Sequence, residues 1–283
     1  MYGSPFHDNV NSMYSELVHM VLQDGSEVNS RNGNTLELHP AVYSHNDLTN
    51  YIPMVRNRVI NFPFALAEIA WIMSGSDSGW ITHYNKQMKQ YLDFYKDGEY
   101  TFNAAYGHRI TNIFGVDQIQ SVIKHFEKDI NTRHAVMIMA HPLYDRPEIN
   151  TKDRACNISS MFLIRENRLN ITQSVRSHDL IWGMPYNLIQ FGYIAQHISE
   201  KVGVSLGSYN GLSNSLHIYS SHWKEARGVN VLDLSYSKFK HLNWEIPTIG
   251  NIDYKYLSEI IINMRNYNID DLDKVHENMF SVC

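Results

Sequence analysis

Three side chains that can do chemistry are set among the apolar residues of 172–191, which read TQSVRSHDLIWGMPYNLIQF. They are Arg176, Asp179 and Asn187, and we expect them in the middle of an apolar core, where an unpaired polar group is costly. Arg176 and Ser177 together can donate hydrogen bonds to phosphate oxygens, although Arg176 can equally pair with Asp179 or Glu166. A buried carboxamide such as Asn187 needs a donor and an acceptor partner, and a pyrimidine ring offers both.

Cys156 and Glu68 are two further side chains that can do chemistry. The chain has only two cysteines, Cys156 and Cys283, too few for a disulfide framework or a cysteine-rich metal site, so we expect no metal centre. Cys156, in DRACNISSMFLI, is either a small core residue or a nucleophile. Glu68 lies within the apolar stretch FPFALAEIAWIM, and buried carboxylates are disproportionately functional.

The composition is that of one globular domain, 1–283, that binds a small partner. The chain has 283 residues, is 43% hydrophobic and carries a net charge of -5, which argues against a generic basic surface for nucleic acid or an anionic membrane. The N-terminus MYGSPFHDNV lacks a signal pattern, and the longest apolar stretch is too short to cross a bilayer. We therefore expect a cytoplasmic protein, or one in the host cytoplasm if a virus encodes it.

Predicted helices and strands are mixed along the chain without a regular alternation. Apolar residues at helical spacing predict helices at about 8–24, 62–74, 116–128 and 184–202, the second ending at Gly75 and the last at Gly203. HAVMIMAH predicts a strand, NISSMFLIRENRLNITQSV a hairpin that turns at REN, and VNSRNGN a polar turn. This mixture favours an α+β fold with helices around a largely mixed sheet.

Several motifs occur in a fixed order along the chain. The strongest are RACNISSMFLI, VRSHDLIWGMPYNLIQFGYIAQHI and SLHIYSSH, and the weaker ones are SRNGN, AEIAWIMSGSD, NAAYGHRI and NTRHAVMIM. As an ordered set they resemble the thymidylate synthase superfamily, which includes thymidylate synthases and pyrimidine nucleotide hydroxymethylases. The resemblance covers about residues 28–223, whereas 224–283 is divergent. It implies a large mixed sheet flanked by helices, with two such sheets packed back to back in a homodimer.

The resemblance implies that Cys156 is the nucleophile that adds to carbon 6 of the pyrimidine ring, which makes carbon 5 reactive towards a one-carbon donor. Arg176 would favour the thiolate and, with Ser177 and Arg31, hold the nucleotide phosphate. In relatives two consecutive arginines reach that phosphate from the other subunit. The matching residues here are Arg133 and His134, so one arginine is replaced.

The remaining site residues follow from the same resemblance. Asn187 would read the base through ring nitrogen 3 and oxygen 4, which favours dUMP over dCMP. The resemblance further implies that His217 and Tyr219 bind the ribose and that Glu68 organises proton transfer around the base. It also implies that Tyr106 lies near the carbon 5 proton and that Asp179 binds the pterin. The implied one-carbon donor is 5,10-methylenetetrahydrofolate.

The product depends on whether hydride or water reaches the methylene group on carbon 5. Synthases exclude water with a closing C-terminal segment and a tryptophan. Here the chain ends HENMFSVC, and the tryptophan region reads NKQMKQYLDFY, in which Tyr91 is the nearest candidate to contact the folate. We therefore predict a deoxyuridylate hydroxymethylase. The alternatives are a thymidylate synthase, a dCMP hydroxymethylase, or a non-catalytic relative that binds nucleotide or RNA.

Overall fold

A computed structural model of the chain describes residues 2–96 and 99–230. Cys283 and most of the divergent segment 224–283 lie outside these residues. The α-helices of the described part are α1 (Val10–Asp24), α2 (Phe62–Met73), α3 (Tyr106–Thr111), α4 (Gln118–Lys128), α5 (Met184–Val202) and α6 (Trp223–Ala226). Its strands are β1 (Tyr2–His7), β2 (Ser26–Ser30), β3 (Gly33–Leu38), β4 (Ala41–His45), β5 (Phe94–Lys96), β6 (Glu99–Thr101), β7 (Val136–Ile138), β8 (Asn157–Arg165), β9 (Arg168–Val175), β10 (His178–Asp179), β11 (Ser205–Ser213) and β12 (Leu216–Tyr219).

A six-stranded mixed sheet is the centre of the fold, as the sequence predicts. Its strand order is β1-β4-β11-β9-β8-β7. The pairs β1–β4 and β11–β9 are parallel, while β4–β11, β9–β8 and β8–β7 are antiparallel. A second sheet, ordered β10-β12-β3-β2, was not predicted, and α1 contacts strands of both sheets.

The four predicted helices are confirmed to within about two residues at their ends. Asparagine or aspartate side chains cap the first three by accepting a backbone N–H of the first turn, and these are Asn9, Asn61 and Asp117. Helix α5 begins with a proline in its first turn and ends at Gly203, whose φ of 76° is the left-handed conformation that glycine adopts without strain.

The predicted hairpin is also confirmed, since Glu166 and Asn167 form a two-residue turn with φ of 53° and 59° between β8 and β9. Two other local predictions were wrong in extent. Only Val136–Ile138 of HAVMIMAH forms a strand. In VNSRNGN, only residues 31–32 form the turn, because the polar residues on either side pair with each other as β2 and β3.

The two faces of the six-stranded sheet differ in how they are covered. On one face α5 packs against β9 and β11, and α4 packs against β7. The opposite face exposes apolar side chains between 37% and 47%, namely Val42, Val136, Ile138, Met161, Leu163 and Leu212. No helix of the described residues is long and apolar enough to cross a membrane.

Candidate active site

Cys156 and Arg176 meet where the β8–β9 hairpin closes. Cys156 immediately precedes β8 and Arg176 immediately follows β9, and the Arg176 backbone N–H donates to the Cys156 carbonyl over 2.9 Å. The guanidinium Nη2 lies 3.7 Å from the Cys156 Sγ. Two carbonyls hold the guanidinium there: Nε donates to Ala155 over 2.8 Å, and Nη2 donates to Arg154 over 3.0 Å. The register of the hairpin therefore brings the Cys156 thiol next to the Arg176 guanidinium.

The charge balance at Cys156 differs from the expected one. Burial raises the pKa of the thiol above its ordinary value, and the Arg176 cation opposes this, while the carboxylates of Asp153, Asp179 and Asp145 reinforce it. The expectation that Arg176 favours the thiolate is correct in direction, but its contribution is outweighed by burial. Cys156 is therefore chiefly a thiol at neutral pH.

The expectation that Arg176, Asp179 and Asn187 share a buried setting is wrong for two of them. Arg176 is exposed and Asp179 is half-buried, because both lie in the segment that leaves the sheet after β9. Arg176 binds backbone carbonyls rather than Asp179 or Glu166. Only Asn187, 8% exposed on α5, is buried as expected.

A buried ion pair positions the segment that leads into Cys156. Arg109 on α3 is fully buried and donates from Nη1 and Nη2 to the two oxygens of Asp145 over 2.7 and 2.8 Å. Its guanidinium also donates to the carbonyls of Asn103 and Met139. Burial raises the pKa of Asp145, but hydrogen bonds from Arg109 and its charge outweigh this and lower the pKa below its usual value. The pair therefore stays ionised at neutral pH.

Two tyrosines, Tyr106 and Tyr91, lie within electrostatic range of the thiol. The Tyr106 hydroxyl accepts the backbone N–H of Asn157 over 3.2 Å, next to Cys156 in the chain. Burial raises the pKa of Tyr91, and the neighbouring Tyr219 and Cys156 add to the increase, while the Arg31 cation lowers it. Tyr219, Cys156 and Arg31 are thus each within electrostatic range of Tyr91.

Glu68 and Asn187 are connected through a residue that the sequence did not single out. Asn187 Nδ2 donates to Gln190 Oε1 over 3.0 Å, and the Gln190 side chain also hydrogen-bonds Glu68. Glu68 lies on α2 and the other two lie on α5, and these helices pack together. The three buried side chains form a continuous polar network inside an apolar core.

Burial dominates the protonation of this network. It raises the pKa of Glu68 to about 8, and the hydrogen bond from Gln190 opposes that shift only in part. The Glu68 Oε2 has no hydrogen-bond partner within the described part of the chain. A carboxyl group whose pKa lies near neutral pH can take up and release a proton during a reaction.

His178 borders the network on its other side. Its ring is buried, its Nδ1 lies 2.9 Å from the Tyr43 hydroxyl, and the Asn187 side chain lies against it. Burial and the adjacent His217 lower the pKa of His178 to about 3, although Asn187 opposes the shift. The ring is therefore neutral at physiological pH.

The second sheet positions the remaining predicted residues. Asp179 on β10 pairs with His217 on β12, and the His217 ring meets the Tyr219 ring edge-to-face at 5.1 Å. Asp179 Oδ1 accepts the backbone N–H groups of Ile181 and Trp182 over 2.8 and 3.1 Å. Asp179 therefore caps the turn before α5, a structural role that the sequence did not suggest. Ser177 lies half-buried between Arg176 and His178.

A cavity of about 630 Å³ lies beside this turn, and Arg58, Trp182, Tyr186 and Lys86 are among its lining residues. The Arg58 side chain is 7% exposed and its guanidinium carbon lies 5.7 Å from the Trp182 ring centre and 5.5 Å from that of Tyr186. Its Nη2 has no hydrogen-bond partner among the described residues. A buried cation with aromatic neighbours suits an anionic ligand that carries a flat ring.

Arg133 and His134 are not part of this constellation within the single chain. Both are exposed in the segment that precedes β7, the edge strand of the six-stranded sheet, and the His134 ring stacks on His125 at 6.1 Å. The expectation that they serve a site on another subunit stays a prediction.

Sequence reasoning missed four residues that shape the site: Arg58, Arg109, His178 and Gln190. His178 and Arg109 lie inside the quoted motifs VRSHDLIWGMPYNLIQF and NAAYGHRI, where their polar character was available as a signal. Gln190 is three residues after Asn187 on one helix, a spacing at which side chains are neighbours. Arg58 lies in a loop, so no periodicity marked it.

Comparison with known proteins gives a consistent result. The sequence model of the family described as Thymidylate synthase matches residues 12–276. The chain is 34% identical to the deoxyuridylate hydroxymethyltransferase of Bacillus phage SP01 over 219 residues, which are 73% of this chain and 56% of that protein. It is 30% identical to the protein of the same name from Pseudomonas phage M6 over 223 residues, 75% of this chain and 60% of that protein. The thymidylate synthase of Buchnera aphidicola subsp. Schizaphis graminum is 21% identical over 224 residues, 76% of this chain and 81% of that protein. The match thus spans less than two thirds of either hydroxymethyltransferase.

Proposed function

The chain belongs to the thymidylate synthase family, and from this premise we propose that it transfers one carbon from a folate to carbon 5 of a pyrimidine deoxynucleotide. The preferred nucleotide is dUMP and the product is 5-hydroxymethyl-dUMP. The observation that carries the proposal is the Cys156 thiol held 3.7 Å from the Arg176 guanidinium, with the Glu68–Gln190–Asn187 network nearby in the same fold.

The thiol supplies the covalent step. Cys156 loses its proton and its sulfur adds to carbon 6 of the uracil ring, so that electron density moves to carbon 5 and oxygen 4. Burial disfavours the free thiolate, so the reaction needs the charge of Arg176 and the acceptor character of the bound ring. Arg176 therefore acts on the sulfur while its exposed side can meet the nucleotide phosphate together with Arg31.

The buried network supplies recognition and proton movement. The Asn187 carboxamide can accept from ring N3–H and donate to O4, which stabilises the enolate that forms after thiol addition. Glu68, with a pKa of about 8, can exchange a proton with groups around the base at neutral pH. Tyr106 assists loss of the carbon 5 proton, a role that its hydrogen bond to the backbone beside Cys156 supports. His217 and Tyr219 bind the ribose.

The family uses 5,10-methylenetetrahydrofolate as its one-carbon donor, and we assign the same donor to this chain. The cavity beside Asp179 supports this assignment, because it combines the aromatic rings of Trp182 and Tyr186 with the cation of Arg58. A folate has a flat pterin and a carboxylate tail, which suit these two kinds of partner. Asp179 is the residue that we expect to hold the pterin.

The product is decided after tetrahydrofolate leaves and carbon 5 carries a methylene group. Addition of water gives the hydroxymethyl group and leaves tetrahydrofolate unchanged, whereas hydride transfer gives a methyl group and dihydrofolate. Tyr91 supports the first outcome, since its phenol is in electrostatic contact with Cys156 and a hydroxyl can hold water where an indole excludes it. The similarity to two deoxyuridylate hydroxymethyltransferases also supports it.

Identification of both products tests the proposal. Incubation with dUMP and 5,10-methylenetetrahydrofolate should yield a nucleotide whose mass has increased by one CH₂O unit, with no rise in dihydrofolate absorbance. The matched control is Cys156→Ser, which should yield neither product. Formation of dTMP in step with dihydrofolate would instead identify a thymidylate synthase and reject the hydroxymethyl assignment.

We also propose a homodimer built on the face of the six-stranded sheet that no helix covers among the described residues. Val42 pairs with Leu212 and Val136 with Met161 on neighbouring strands, so this face presents two pairs of adjoining apolar side chains. If two such faces pack together, the β7 edge of each subunit would approach the phosphate site of the other. Arg133 and His134, which lie beside β7, would then contribute to that site.

Subunit mixing tests the shared site. Arg133→Ala and Cys156→Ser subunits should each have low activity alone. After random exchange about a quarter of all sites contain both intact residues, so activity should recover towards that fraction. Demonstrated exchange without recovery would mean that Arg133 does not serve the partner's site.

A further inference from the structure

Asn187 cannot by itself distinguish uracil from cytosine. Uracil presents a donor at N3 and an acceptor at position 4, whereas cytosine presents an acceptor and a donor at the same two positions. A carboxamide has one acceptor and one donor of nearly equal size, so a rotation by half a turn exchanges the two patterns. Whatever fixes the rotation of the Asn187 amide therefore decides which base is read.

Gln190 makes a contact that fixes this rotation. It is 4% exposed, and its Oε1 accepts from Asn187 Nδ2 over 3.0 Å. An oxygen can accept but cannot donate, so Asn187 must turn its nitrogen towards Gln190 to keep this bond. The Asn187 side chain also hydrogen-bonds the His178 ring, and at 8% exposure it has little bulk water to replace either bond if one is lost.

Glu68 determines in turn which end of Gln190 faces Asn187. The hydrogen bond between the Gln190 side chain and Glu68 lowers the pKa of Glu68, which means that Gln190 donates to the carboxyl group. Gln190 must therefore direct its Nε2 at Glu68, which leaves its Oε1 for Asn187. The direction of every hydrogen bond in the network follows from this one acceptor at its end, on α2.

We propose that Gln190 is a positioning residue for base selectivity: it relays the acceptor character of Glu68 to Asn187 and locks the Asn187 carboxamide in the orientation that reads uracil. The inference rests on the proposed function, because it takes a pyrimidine nucleotide as the ligand of Asn187. Gln190 itself need not touch the base. A purely structural role, in which Gln190 only joins α2 to α5, makes a different prediction.

Equilibrium binding of dUMP and dCMP, measured by calorimetry without folate, separates the two roles. In Gln190→Met the side chain keeps its length but neither accepts from Asn187 nor donates to Glu68, so the amide can rotate. The ratio of dUMP affinity to dCMP affinity should fall at least about tenfold, mainly through tighter dCMP binding. A loss of stability alone would weaken both nucleotides equally and leave the ratio unchanged.

Gln118→Met is the matched control. Gln118 is also a buried glutamine, 8% exposed, whose amide binds the backbone of Arg109 and Ile138 and not the Asn187 network. This variant should keep the wild-type ratio even if its stability falls. A similar change of ratio in both variants would overturn the assignment to Gln190.

Gln190→Glu keeps the inference testable if Gln190→Met does not fold. A carboxyl oxygen at this position still accepts from Asn187 Nδ2, so uracil selectivity should stay within about threefold of wild type, although proximity to Glu68 should lower stability. A collapse of selectivity in Gln190→Glu would overturn the relay. Failure of the wild type to bind either nucleotide would reject the proposed function itself, whereas normal dUMP selectivity in Gln190→Met would reject only the inference.

Discussion

The side of the site that we propose to read the base (the base-reading side) and the side that we propose to bind the phosphate (the phosphate side) are built in different ways. On the base-reading side, Glu68, Gln190 and Asn187 are buried between two helices and bound to one another. On the phosphate side, Arg31 and Arg176 are exposed on a turn and at a strand end. The fold of one chain therefore fixes the groups that would read the base before any ligand binds, while the cations that would meet the phosphate retain contact with water.

Elementary energetics account for this difference. A buried amide or carboxyl group without a partner destabilises the protein, so the groups on the base-reading side must satisfy one another and become preorganised. Exposed cations lose little by lacking a partner, because water screens them. Substitutions on the base-reading side should therefore change stability or selectivity, and those on the phosphate side should change affinity in a salt-dependent way.

The largest expected effect is at Cys156, where the two sides meet. Cys156→Ser should lower turnover by at least about 10³-fold, because a serine hydroxyl is a far weaker nucleophile than a thiolate. The affinity for dUMP should stay within about tenfold of wild type, since the sulfur reacts after binding. Steady-state kinetics and calorimetry check both values, and near-normal turnover would remove Cys156 from the mechanism.

Asp145→Ala should give the largest loss of stability. It leaves the fully buried Arg109 cation without its carboxylate, which should lower the free energy of unfolding by about 3 kcal/mol. The matched control is Glu148→Ala, which removes the partner of Arg146 in a pair whose side chains are 45% and 72% exposed and should cost about 0.5 kcal/mol or less. Urea denaturation measures both, and equal losses would contradict the contrast between buried and exposed charges.

Glu68→Gln should change how stability depends on pH. The pKa of Glu68 is about 8 in the folded protein against an ordinary value of 4.5, so the folded state binds the proton more tightly and stability declines as pH rises towards 8. The pKa of His178, lowered to about 3 from 6.5, makes stability rise with pH below 6.5. The window from pH 6.5 to 8 therefore isolates Glu68.

Within that window the wild type should lose about 2 kcal/mol more than Glu68→Gln as the pH rises. Urea denaturation at the two pH values measures the difference. Glu27→Gln, an exposed carboxylate on β2, should behave like the wild type. Parallel pH profiles for wild type and Glu68→Gln would mean that Glu68 is not desolvated in the folded protein.

The smallest effect should come from the phosphate side. Arg31→Ala should weaken dUMP binding by about 1 kcal/mol at low salt and by less as salt increases, with no change in the free energy of unfolding. Arg165→Ala, an exposed arginine at the far end of the β8–β9 hairpin, should leave binding unchanged. If the effect of Arg31→Ala does not depend on salt, Arg31 belongs with the buried, preorganised groups and not with the exposed cations.

The same division explains what the sequence could predict. Periodicity located α1, α2, α4 and α5, because a helix that covers a core must repeat its apolar residues. It missed β2 and β3, whose mostly exposed side chains produce no apolar pattern. Motif order singled out Cys156, Glu68 and Asn187 as candidate site residues.

Contacts between distant elements were beyond the reach of the sequence. The bond from Gln190 to Glu68 joins α5 to α2, and the Arg109–Asp145 pair joins α3 to the segment before Cys156. Neither partner can be inferred from local spacing. The exposure of Arg176 was likewise mispredicted, because the register of β8 and β9 decides where the chain leaves the sheet.

The most direct test of the central claim is the fate of the hydrogen on carbon 5 of dUMP, because one-carbon transfer replaces that hydrogen whichever product forms. With dUMP tritiated at carbon 5 and 5,10-methylenetetrahydrofolate, the wild-type protein should release tritium into water, and Cys156→Ser should not. A wild-type protein that binds dUMP and the folate yet releases no tritium would contradict the claim that this site performs chemistry at carbon 5.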